Sequence, residues 1–113
     1  MIGGVGIDVV DIDRFEQSLE RTPGLRSKLF TDAERIKSIQ SLAARFAAKE
    51  ALIKALNAEN GISWHEAEVV NLESGKPTFL FYGAVAALVD GAKVHLSISH
   101  DAGVATAIVM VEY

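Results

Sequence analysis

Asp8 stands in a run made otherwise of apolar residues and glycine, Gly3-Gly4-Val5-Gly6-Ile7-Asp8-Val9-Val10. A carboxylate isolated among such residues is costly to bury, so it needs a partner: a metal ion, a catalytic role, or the backbone N–H groups of a strand end. Farther on, Arg45, Lys49, Glu50 and Lys54 share the segment LAARFAAKEALIKALN. On a helix Glu50 and Lys54 lie one turn apart, which by itself describes an ordinary i,i+4 ion pair. Arg45 and Glu50 point about 140° apart on the same ideal helix. Arg45 and Lys49 stand among Phe46, Leu52, Ile53 and Leu56, while alanines fill the opposite side. These charges do not form one solvated stripe, so the helix is expected to be covered on several sides.

Two further clusters carry polar chemistry. Ser97-Ile98-Ser99-His100-Asp101 contains the residue types of a nucleophilic triad. Neighbouring strand side chains point to opposite faces, however, and no G-x-S-x-G elbow is present, so serine hydrolysis is not expected. Ser74-Gly75-Lys76-Pro77 has the composition of a hairpin turn. Position 70 is Val70, so the upstream glycine of a Walker loop is missing. Gly3-Gly4-Val5-Gly6 continues as strand and does not turn into a helix, so it is no dinucleotide fingerprint. Arg14, Arg21, Arg26 and Lys28 gather early in the chain, diluted by Glu16, Glu20 and Glu34. From charge alone they read as a solvated basic face.

The elements that must position these residues follow from period and punctuation. Residues 2–10 alternate as a strand, with Val5, Ile7 and Val9 on one face and Gly6, Asp8 and Val10 on the other. Asp11 suits an N-cap, and a short helix over 12–20 ends at Thr22-Pro23-Gly24. Thr31-Asp32-Ala33-Glu34 fits a capping box, followed by helix with a bend near Ser38 to Ser41. The main helix is expected over Leu42–Asn57. Strands are expected at 67–72 and 78–82, a short helix at 83–90, and strands at 93–99 and 104–111 around the turn Asp101-Ala102-Gly103. This order implies an α+β domain with a largely antiparallel sheet.

With 113 residues, the chain is expected to form a single domain, 1–113. Half of the residues are hydrophobic and 23% charged, a globular mix that excludes a disordered tail. A net charge of −4 argues against a general nucleic-acid binder. There are no cysteines, which removes disulfides, thiolate metal sites and thiol nucleophiles. No apolar run is long enough to span a membrane, and the N-terminus lacks the basic region of a secretory signal. A soluble, cytoplasmic protein is expected.

Taken in order, Gly6-Ile7-Asp8, Arg45-Phe46-Ala47-Ala48-Lys49-Glu50-Ala51 with Lys54, Gly75-Lys76-Pro77 and Ser97-Ile98-Ser99-His100 resemble the holo-acyl-carrier-protein synthase family, the short type of 4′-phosphopantetheinyl transferase. The likeness extends from the first strand to the last. It implies a long helix packed on an antiparallel sheet, and a homotrimer with active sites between subunits. It also implies a reaction: the phosphopantetheine arm of coenzyme A moves to a serine of an apo acyl carrier protein in fatty acid biosynthesis, and adenosine 3′,5′-bisphosphate leaves.

The resemblance assigns residues as well. Asp8 and Glu50 become ligands of Mg²⁺ and, with Lys54, the catalytic residues; Lys54 also meets the pyrophosphate. Arg45 and His100 become 3′-phosphate ligands from a neighbouring chain, and Ser74, Gly75, Lys76 and Pro77 border the adenosine. Arg14, Arg21, Arg26 and Lys28 dock the carrier protein. Lys49 receives no role beyond structure. A shared interface reconciles the opposed directions of Arg45 and Glu50. Two other classes remain open beside transfer: a silent binding module on the same fold, and a metal-dependent nucleotide hydrolase.

Overall fold

The first strand carries no side chain where it meets the long helix. In the computed structural model, which describes residues 1–113, β1 (Ile2–Asp11) lies across α4 (Ile39–Leu56). A Cβ added at Gly4 would fall 1.9 Å from the carbonyl oxygen of Ala55, and one at Gly6 would fall 1.9 Å from that of Ala51. Real Cβ atoms never approach so closely, so strand and helix backbones meet directly. Ala47, Ala48 and Ala51, each fully buried, keep the helix side equally flat.

β1 pairs antiparallel with β5 (Val104–Glu112), and β5 with β4 (Lys93–Asp101), giving the sheet order β1-β5-β4. The inner row of Gly6, Asp8 and Val10 faces Val109, Ala107 and Ala105 in register. The outer row is the apolar one, and it is uncovered: Val5, Ile7 and Val9 are 53%, 58% and 63% exposed. Val94, Leu96 and Ile98 of β4 turn inward. The β4–β5 hairpin closes through Ala102 and Gly103, both at positive φ, as a two-residue hairpin turn requires. The Gly103 carbonyl accepts the Ile12 N–H at 2.9 Å, tying this turn to the start of α1 (Ile12–Arg21).

The antiparallel pairing expected from the sequence is divided between two sheets. β2 (Ala67–Asn71) and β3 (Pro77–Phe81) form a separate two-stranded ribbon, followed by α5 (Gly83–Leu88). Between α1 and α4 the chain makes two short helices, α2 (Leu25–Leu29) and α3 (Asp32–Arg35). The capping box at Thr31 and Glu34 forms as expected. α4 begins earlier than the sequence suggests, at Ile39, because the Ser38 Oγ caps the Ser41 N–H at 3.2 Å. It ends at Leu56 with Asn57 in the left-handed region. Ten of its residues are buried, Arg45 and Lys49 among them, as the scattered charge pattern requires.

The seam between β1 and α4 predicts the effect of a single methyl group. Gly6→Ala must push strand and helix apart, and overpacking of this kind costs about 1–3 kcal/mol or more. A thermal unfolding comparison should show a melting temperature lowered by several degrees. An unchanged melting temperature would contradict the contact.

Candidate active site

The same seam sets the register of the charged residues. Gly4 meets the helix at Ala55 and Gly6 meets it at Ala51. The next inward position on β1 is Asp8, one step farther toward the start of α4, and the Lys54 side chain, which leans toward the helix N-terminus, reaches it. Asp8, Glu50 and Arg14 line one cleft together with Asp11, Phe15, Ser18 and Phe46. The Lys54 ammonium donates to the Ile7 carbonyl at 2.8 Å and to Asp8 Oδ1 at 3.2 Å. The simple i,i+4 pairing of Glu50 with Lys54 is thus not what forms; Lys54 reaches across to the strand.

Glu50 has no cation of its own. Its carboxyl is held above the ordinary carboxylate range, first by burial and then by the negative charge of Asp8, with Lys54 acting in the opposite sense. Two acids lining one cleft, served by one lysine, form a donor set that fits a hard divalent cation. Mg²⁺ takes one or two carboxylates and fills its remaining positions with phosphate oxygens and water. Asp8 and Glu50 are the residues able to hold it.

A second cleft, of about 640 Å³, opens around Arg45 and shares no lining residue with the first. Arg45, His100, Gly75 and Pro77 line it with Ser38, Gln40, Ser41 and Asn71. Arg45 is 6% exposed. It donates through Nη1 to Ser41 Oγ and through Nη2 to Asn71 Oδ1 at 3.0 Å, while its buried Nε has no acceptor. Burial lowers its pKa, partly offset by Glu34 and Glu68. Asn71 Nδ2 donates in turn to the Gly75 carbonyl at 3.0 Å, so the 74–77 turn is tethered to Arg45. Ser74 and Lys76 stand exposed on that turn, with the Lys76 N–H donating to Ser74 Oγ at 3.3 Å.

Sequence reasoning missed Ser41 and Asn71. The available signal was Arg45 itself, since a guanidinium in apolar company must find acceptors. It also missed an aromatic row between the clefts' elements: Phe15 stacks on Phe46 at 5.0 Å, and Phe46 leans on Trp64 at 5.8 Å. Arg14, Arg21, Arg26 and Lys28 are all exposed. Arg14 borders the Asp8 cleft and Lys28 borders a groove floored by Phe15, Phe46 and Trp64.

The sequence pattern of the 4′-phosphopantetheinyl transferase superfamily matches residues 4–109. The chain belongs to that superfamily. It is similar to the holo-[acyl-carrier-protein] synthase of Leifsonia xyli subsp. xyli, at 56% identity, over 99% of this chain and 98% of the relative. Its fold is similar to that of the Chronobacterium ammoniagenes ACPS–CoA complex, with a TM-score of 0.86, 32% identity, and coverage of 97% and 96% of the two chains. It is also similar to the holo-(acyl-carrier-protein) synthase of Bacillus anthracis in complex with CoA (3′,5′-ADP), with a TM-score of 0.80, 34% identity, and coverage of 99% and 97%. The α+β architecture expected from the sequence is the fold of these transferases.

The electrostatics of the first cleft can be checked in this family member without any substrate. Asp8→Asn removes the like charge that raises the Glu50 pKa and should move it down; Lys54→Met removes the opposing charge and should move it up. Carboxyl-carbon NMR titration of Glu50 reads both shifts. Movement of either in the other direction would contradict the arrangement.

Proposed function

We propose that this chain is a Mg²⁺-dependent holo-[acyl-carrier-protein] synthase: it transfers the 4′-phosphopantetheine arm of coenzyme A to a serine of an apo acyl carrier protein and releases adenosine 3′,5′-bisphosphate. The observation that carries this reading is the meeting of Asp8, Glu50 and Lys54 across the β1–α4 seam, in a chain that matches holo-[acyl-carrier-protein] synthases over nearly its whole length. We place its work in the cytoplasm; no helix is long and apolar enough to cross a membrane.

The reaction forms a bond between the serine oxygen and the β-phosphorus of coenzyme A as the bridging P–O bond breaks. The serine proton must leave, and negative charge builds on the departing bisphosphate. Asp8 and Glu50 would hold Mg²⁺, which supplies charge neutralisation at the diphosphate when bound. The serine proton passes to a water at the cleft, one bound to the metal or one that hydrogen-bonds to a carboxylate. Lys54, half-exposed at 53%, is free to turn from Asp8 toward the diphosphate and stabilise the charge that develops there. Arg45 and His100 bind the 3′-phosphate, beside the Ser74-Gly75-Lys76-Pro77 turn that borders the adenosine. Arg14, Arg21, Arg26 and Lys28 receive the acidic face of the carrier.

Two observations support a homotrimer with shared sites. The Arg45 and Asp8 clefts share no lining residue within one chain, which agrees with one coenzyme A taking each set from a different subunit. The outer face of the three-stranded sheet also presents Val5, Ile7, Val9 and Ile108, each more than 40% exposed. A contiguous apolar face of this kind suits contact between copies.

The transfer assay uses the protein with coenzyme A, Mg²⁺ and an apo carrier. A carrier that gains the arm bears out the reading; coenzyme A cleaved without carrier indicates a hydrolase, and no turnover indicates a silent binding module. Asp8→Ala and Glu50→Ala should each abolish transfer, and Lys54→Ala should lower kcat by roughly ten- to a thousand-fold. Near-normal rates in the carboxylate variants would contradict the assignment. Mixing Arg45→Ala with Glu50→Ala protein should restore activity through hybrid trimers that contain one intact site. No recovery in proven hybrids would count against shared sites.

A further inference from the structure

Lys49 precedes Glu50 on α4 but points into the interior, where its side chain is fully buried. Its ammonium has three acceptors: Glu34 Oε1 at 2.7 Å, the Leu29 carbonyl at 2.9 Å and the Trp64 carbonyl at 3.0 Å. Every donor of the group is thereby used. The Phe30 ring lies below it at 5.4 Å. Glu34, 1% exposed, accepts the Thr31 N–H at 3.0 Å through Oε1 and the Val69 N–H at 2.9 Å through Oε2. One buried ion pair therefore fastens the end of α2, the start of α3, the turn at Trp64 and strand β2 to the helix that carries Glu50.

Stability alone does not account for such a pair. Replacing a buried ion pair by apolar residues of similar size is often neutral or stabilising, whereas removing one partner strands the other charge. What the pair does supply is position. Leu29 and Trp64, whose carbonyls it grips, also line the groove that contains Phe15, Leu25, Phe46 and Glu50. The last turn of α2 carries Arg26 and Lys28, so the basic rim is held at a fixed place relative to the Glu50 carboxylate. α2 is only five residues long and has no side-chain cap at its N-terminus, so it needs an external anchor.

We propose that Lys49, with Glu34, is a positioning residue for the carrier protein: the pair sets the basic end of α2 against Glu50, so that a docked carrier presents its serine to the reacting phosphate. The proposal rests on the transferase reading above, and wild-type turnover is the control for that reading. No residue of α2 lines the Arg45 cleft, so coenzyme A affinity separates this role from general damage to the site.

The decisive variant is Glu34→Leu with Lys49→Met, which removes both charges and leaves none stranded. It should fold with a melting temperature at or above that of the wild type, and bind coenzyme A within about twofold by calorimetry. Its kcat/KM for the apo carrier should fall by roughly tenfold or more, and the salt dependence of that constant should flatten, since steering by the basic rim is lost. Wild-type kcat/KM for the carrier in this folded variant would overturn the proposal. Should the double variant fail to fold, Glu34→Gln, which keeps the shape and an acceptor, should show the same loss in smaller degree with coenzyme A affinity held; an unchanged carrier constant there would equally overturn it. A wild-type protein that modifies no carrier would overturn the transferase reading instead.

Discussion

The structure depends on a contact between two backbones. β1 crosses α4 at Gly4 and Gly6, where the carbonyl oxygens of Ala55 and Ala51 occupy the space of any side chain. Dense packing of this kind tolerates neither insertion nor slippage. A one-residue shift of β1 would bring Val5 or Ile7 into the seam and turn Asp8 to the outside. The glycines therefore fix which face of the strand is inside, and that choice alone delivers a carboxylate to the cleft that Glu50 lines, within reach of Lys54. The meeting of Asp8 with Lys54 and Glu50 follows from the absence of side chains two and four positions earlier.

The charged residues of α4 divide into three roles according to what covers them. Lys49 points into the core and is satisfied there. Arg45 is nearly buried against Ser41 and Asn71, at the edge of the second cleft. Glu50 and Lys54 remain partly accessible on the β1 side. One helix thus addresses the interior and two separate clefts at once. That is why its sequence lacks the single polar stripe of a surface helix.

Much of this was legible in the sequence. The alternation of β1 and β4, the capping box at Thr31 and Glu34, and the burial of α4 on several sides all follow from residue type and period. The inward face of β1 was not legible. Val5, Ile7 and Val9 have the composition of a core face, yet they lie outside because the glycine row packs closer to the alanine helix. α2 escaped because five residues carry too little periodicity to register. The start of α4 was placed late because Ser38 and Ser41 read as a bend, when Ser38 is the cap. At the site, Asp8 stood out as a charge in apolar company, whereas Glu50 and Lys54 read by themselves as an ordinary helix pair and gained a role only through the family resemblance. Ser41, Asn71 and the Lys49–Glu34 pair depend on long-range partners that no local pattern encodes.

The central claim is that the β1–α4 seam brings Asp8 and Glu50 together to hold one divalent ion against the diphosphate of coenzyme A. A crystal grown with coenzyme A and Mn²⁺ in place of Mg²⁺ tests it through the anomalous signal of the metal. The account predicts one anomalous peak between the two carboxylates and within coordination distance of a diphosphate oxygen. A bound coenzyme A with no peak there, or with the two carboxylates turned apart, would contradict it.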